Sequence, residues 1–290
     1  MKKTCKIIVL YAALISFVNC DKVDAADLIY GKLDSSDVSQ YIVNFDNDTQ
    51  GGVVKSIIGG LAVKPGGWDF DYTAGLVANG NKVIVNGGKV EGGTVQISII
   101  GGGTISFEGV IAGGYSNYTS GNEVEINGGN IETDIYGSYN IVYNNKSIEH
   151  PDIYNNKVYI YAGEIDGSIY GTYVDADVSR LEKDNNNNKV INNKIYVGKE
   201  DGTSVVSING NIYGAYAHDQ YAVLQKNKVI INDGDSISIT SSSSTGDGVY
   251  GAYTDKKYCS TIENSVVING GTIKANIAGA YNNQVYRGVT

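Results

Sequence analysis

The sequence predicts an all-β chain folded as a stack of similar turns, from its glycine- and tyrosine-rich composition, its apolar alternation and an internal repeat. Composition sets the class. The chain holds 38 Gly but 2 Pro, and 23 Tyr against 4 Phe, 1 Met and 1 Trp. Strings of Gly, Asn, Thr and Val disfavour long helices and suit strands joined by turns.

Alternation and repeat are read together. The motif is an Asn followed by alternating apolar residues: Asn81-Lys-Val-Ile-Val-Asn-Gly-Gly, Asn122-Glu-Val-Glu-Ile-Asn-Gly-Gly and Asn156-Lys-Val-Tyr-Ile-Tyr-Ala-Gly. It returns as Asn193-Lys-Ile-Tyr-Val, Asn227-Lys-Val-Ile-Ile-Asn-Asp-Gly and Asn264-Ser-Val-Val-Ile-Asn-Gly-Gly. The steps are 41, 34, 37, 34 and 37 residues. A second half-motif interleaves with it, reading Ile135-Tyr-Gly-Ser-Tyr139, Ile169-Tyr-Gly-Thr-Tyr173, Ile212-Tyr-Gly-Ala-Tyr216 and Val249-Tyr-Gly-Ala-Tyr253. Looser versions are Ile111-Ala-Gly-Gly-Tyr115 and Ile277-Ala-Gly-Ala-Tyr281.

Each element of the repeat has a physical reading. In a strand Val124 and Ile126 face one way, and Glu123 and Glu125 the other. One turn cannot bury that apolar face alone, but stacked turns about 4.8 Å apart share an interior. The Asn-Gly-Gly corner supplies positive φ for a sharp bend, and its Asn can stack into an amide ladder. The recurring Gly137, Gly171, Gly214, Gly251 and Gly279 predict a bend inside the following strand. Tyr139, Tyr173, Tyr216, Tyr253 and Tyr281 predict an aromatic column in the wall. The result is an all-β β-solenoid (β-helix) of about six stacked coils.

Lys2, Lys3 and Lys6 precede an apolar run from Ile7 to Val18, which reads as an N-terminal signal peptide. Cleavage near Ala26 is one scheme; lipidation of Cys20 in Phe17-Val18-Asn19-Cys20 is the other. The organisation is then residues 1–25 signal peptide, 26–80 N-terminal cap and weak first coils, and 81–290 solenoid repeats. Ile57-Ile58-Gly59-Gly60 reads as a degenerate early coil. Cys259, alone in the mature chain, has no internal disulfide partner.

Net charge is −9 with only Arg180 and Arg287 as guanidinium donors, which excludes nucleic acid as a partner. No spacing of Cys, His or carboxylates predicts a metal, a cofactor or a catalytic centre; His150 and His218 lie two coils apart. Asp69 with Asp71, Asp175 with Asp177, and Asp233 with Asp235 read as turn residues. The expectation is a non-enzyme. A carbohydrate-active β-helix enzyme (polysaccharide lyase or hydrolase) and a purely structural surface spacer are the alternatives.

With these motifs, the leader and the Ala26-Asp-Leu-Ile-Tyr-Gly31 start, the chain resembles bacterial type V autotransporter passengers and related β-helix adhesins. The resemblance covers roughly residues 50 to 290. It implies export and display at the cell surface or outer membrane, or secretion, and adhesion to a host-cell or extracellular-matrix protein or glycan. Such passengers end in a membrane barrel; here the chain stops at Thr290, so either the translocator is a separately encoded outer-membrane protein, or the gene is truncated, or the protein is released or lipid-anchored. The loops 140–155 and 174–192 escape the stacking constraint and are the expected recognition sites. Val142, Tyr143, Ile148, Ile153 and Tyr154 are the candidate contact residues of the first loop. Excursions at 92–103, 198–205 and 235–247 are expected together on another side.

Overall fold

A computed structural model of the chain describes residues 28–34, 36–46, 53–62, 64–65, 70–71, 76–98, 104–142, 152–176, 188–234, 236–242, 244 and 246–283. The predicted leader, with Cys20, lies outside them. Among the described residues every regular element is a strand.

The strands form a four-sided solenoid. Each turn places one strand on each of four parallel sheets, and successive turns pair in register. The first sheet takes Leu28–Asp34, Ser56–Ala62, Ile111–Ser116, Ile135–Val142, the split strands around Gly171 and Gly214, Val249–Thr254 and Ile277–Asn282. The second runs from Val38–Ser39 to Ser260–Ile262, the third from Ile42–Phe45 to Ser265–Ile268, and the fourth from Val53–Val54 to Thr272–Lys274. These last three are each 7-stranded, so the described rod has seven complete turns and the first strand of an eighth. That is one turn more than the repeat motifs predict. The extra turn lies at residues 28–54, where Tyr41 stands in place of the motif's asparagine, so the pattern is hidden there.

The inward residues make two apolar lobes. The larger joins the first, third and fourth sheets through residues such as Ile135, Val124, Ile126 and Ile131. The smaller joins the first and second sheets through Ile153, Val174, Val190, Ala217 and Leu224. Removing a fully buried Ile side chain from such a lobe costs about 2–5 kcal/mol.

An asparagine column, fully buried from Asn81 to Asn227, runs between the lobes. Asn81, Asn122, Asn156, Asn193 and Asn227 each donate Nδ2–H to the Oδ1 of the asparagine one turn on, ending at Asn264, over 2.9–3.1 Å. The main-chain N–H of each donates to the same oxygen. The ladder therefore belongs to the residue that heads the motif. At the Asn-Gly corner, the position expected to stack, Asn127 bonds Asn86 in an exposed contact. The reason is the residue before each ladder asparagine: Gly80, Gly121, Asn155, Asn192, Lys226 and Glu263, like Gln40 before Tyr41, all have φ between 53° and 63°. That left-handed step turns the chain from the second sheet to the third, and the amide turns inward with it. Buried amides without partners would cost about 1–3 kcal/mol each, so the ladder must be complete to be tolerated.

The Gly of the Ile-Tyr-Gly-x-Tyr motif is explained by crowding rather than by positive φ. A Cβ on Gly214 would overlap the carbonyl oxygen of Gly251 and sit 3.0 Å from the Lys228 nitrogen. Gly214 is absent from the positive-φ residues; Gly88 and Gly129, at the Asn-Gly-Gly corners, have φ of 89° and 109° as predicted.

Candidate interaction surface

The outward face of the first sheet carries two tyrosine columns. Tyr115, Tyr139, Tyr173, Tyr216, Tyr253 and Tyr281 stack with ring centroids 4.8–5.7 Å apart. Beside them Tyr136, Tyr170, Tyr213 and Tyr250 stack at 4.7–5.9 Å. The columns meet edge to face, as in Tyr136–Tyr139 at 5.0 Å. Because the rings stack along the rod axis, their faces are spent on each other and only edges and hydroxyls are left for a partner. Burial pushes the Tyr139 hydroxyl up to about 12, helped by the Asp175 carboxylate, and raises Tyr170, Tyr173, Tyr213 and Tyr216 further. The columns are neutral wall, not a platform.

The corner between the first and second sheets is different. Every connection there leaves from the same side of the rod, because each joins a first-sheet strand to a second-sheet strand. In the sixth and seventh turns this corner is Asp219-Gln-Tyr-Ala222 and Lys256-Lys-Tyr-Cys259. Tyr221 and Tyr258 both have φ of 63°, a conformation that costs a bulky residue free energy, and their rings stack at 4.8 Å and 8°. Tyr258 is 54% exposed. Beside them His218 Nδ1 bonds both oxygens of Asp255, at 3.0 and 2.8 Å, and Asp175 stands in register with His218. Cys259 Sγ donates to the Asp219 carbonyl at 3.0 Å, and burial raises its thiol, so the thiolate nucleophile is disfavoured.

Of the candidate contact residues, Tyr154 is exposed on its second-sheet strand, and Ile153 beside it is fully buried in the smaller lobe. Ile153 is thus an interior residue and no contact anchor: its strand pairs with Val190 and Ile191, which fixes it inward. Val142 ends a first-sheet strand opposite Ala176. Tyr143 and Ile148 lie outside the described residues, as do Asp69, Asp177, Asp235 and His150. The other excursions split between two corners. A hairpin of Thr94–Ser98 with Thr104–Glu108 and the segment near 241–248 join the fourth sheet to the first, whereas 198–204 joins the third to the fourth. Among the described residues no three His, Cys, Asp or Glu side chains are grouped to hold a metal ion. The sequence reading missed Tyr221 and Tyr258. Their signal was available: they fall 37 residues apart, the step of the sixth repeat. No family model, curated protein or solved structure matches this chain.

Proposed function

We propose that the chain is an exported, surface-displayed binding protein of the autotransporter-passenger kind, whose rod holds recognition residues along one corner. Its partner is a protein or glycan of a host cell or extracellular matrix. One observation carries the reading: Tyr221 and Tyr258, with Lys256 and Lys257, lie outside the repeat's strands at a corner that successive turns share, and Tyr154 is exposed on the second sheet that follows that corner. Aromatic and polar side chains on a rigid frame bind with little ordering cost.

The test is attachment of the purified exported protein to host cells, matrix components and immobilised glycans. Replacing Tyr154, Tyr221 and Tyr258 together by Ser is expected to reduce attachment roughly tenfold or more while shifting the melting transition little, since hot-spot aromatics dominate contact patches. Attachment unchanged in that variant places the contact elsewhere. Glycan cleavage without attachment contradicts the reading.

A further inference from the structure

The outward residues of the third sheet form two columns along the rod. From the second to the sixth turn the first column is Lys82, Glu123, Lys157, Lys194 and Lys228, all in register. Its two halves are built differently. In the lower half the signs alternate: Lys82 Nζ lies 3.7 Å from Glu123 and 2.8 Å from Glu125, and Lys157 Nζ lies 3.3 Å from Glu123. In the upper half Lys157, Lys194 and Lys228 follow one another, and among the described residues Lys194 and Lys228 have no ion-pair partner. Neighbouring strands are about 4.8 Å apart, so these ammonium stems start side by side and repel. Packing does not demand lysine there, because all three point outward and are only partly covered. Glu123 shows that the column accepts the opposite sign.

We infer that this face binds an anionic polysaccharide, a chain of sugars bearing carboxylates or sulfates, laid along the rod axis over the fourth to sixth turns. Three features select that partner. The ammonium groups stand in single file, one per turn, which suits a linear polymer charged at regular intervals. In the second column Tyr159 and Tyr196 stack at 5.0 Å and 11°, leaving ring edges and hydroxyls to meet sugar hydroxyls. Other anionic partners fit less well. A bilayer is held by larger clusters of basic residues, and nucleic acid by a basic domain, whereas this chain carries a net charge of −9. Glu200, whose charge acts on Tyr196, borders the stripe on the fourth-sheet side. The face lies across the second sheet from the corner of Tyr221 and Tyr258, so polymer binding here and attachment there are measured separately.

The purified full chain is titrated at low ionic strength with dextran sulfate, polygalacturonate and uncharged dextran, and with phosphatidylserine vesicles. Binding to one or both anionic polymers is expected, weakening as salt is added, with none to dextran. Lys194→Gln with Lys228→Gln is expected to raise the polymer Kd roughly tenfold or more without lowering the melting transition. Lys89→Gln with Lys274→Gln makes the same change of net charge on the fourth sheet and is expected to leave Kd within about twofold. Failure to bind either anionic polymer overturns the inference, as does an unchanged Kd in the Lys194 and Lys228 variant. Equal losses in the two double variants also overturn it, by reducing the effect to net charge. Vesicle binding that needs Lys194 and Lys228, without polymer binding, overturns it in favour of a membrane contact.

Discussion

Phe45 and Ile268 hold one place in the repeat, the inward end of a third-sheet strand, joined by unbroken register through Val85, Ile126, Ile160, Val197 and Ile231. One is wholly covered and the other stands 41% open. Sequence alone would make them equals, since both are large, apolar and correctly phased. The difference shows that in a solenoid burial is set by what packs against a turn and not by the phase of the repeat alone.

The largest expected effect concerns the middle of the rod, where the tyrosine columns have neighbours on both sides. An unfolded tyrosine loses its proton near its ordinary value of about 10. In the columns burial holds the hydroxyl higher, at about 12 for Tyr139. Above pH 10 the unfolded state therefore binds fewer protons than the folded one, and stability falls as pH rises. The contribution is fully present below pH 10 and is lost through the folded value. Alkaline titration followed by circular dichroism is expected to show cooperative unfolding with a simultaneous burst of tyrosinate absorbance. Gradual ionisation near pH 10 without unfolding would mean that the columns are open to solvent.

A smaller effect separates the ends themselves. Phe45→Ala is expected to cost about 3–5 kcal/mol, because it leaves a cavity where a fully buried ring stood. Ile268→Ala is expected to cost no more than about 1 kcal/mol, because much of its surface already meets water. Denaturant midpoints compare the two variants directly, and equal losses would break the comparison.

Much of this was legible in sequence because strand alternation and repeat length are strong signals. Val124 and Ile126 face inward as their phase requires, and Tyr139, Tyr173, Tyr216, Tyr253 and Tyr281 stack as one column. What was hidden depended on local backbone turns. Tyr136 and Tyr139 are three apart, which places them on opposite faces of a straight strand, yet their rings meet at 5.0 Å on either side of Gly137, where an added Cβ would overlap the Gly171 carbonyl oxygen. The ladder asparagine points inward because of the left-handed residue before it, which can be Gly121, Asn155, Lys226 or Glu263 and so leaves no uniform trace. Ile153 resembled a loop residue because a long connection separates it from its repeat partner.

The account's central claim is a stack of turns bonded in register, and hydrogen exchange read by mass spectrometry tests it most directly. The amides of Val83–Val85, Ile195–Val197 and Val43–Phe45 are expected to be strongly protected. Those of Val266–Ile268, whose side chains are less covered, are expected to exchange faster. Equal protection of Val43–Phe45 and Val266–Ile268 would contradict the account, as would rapid exchange in the middle turns.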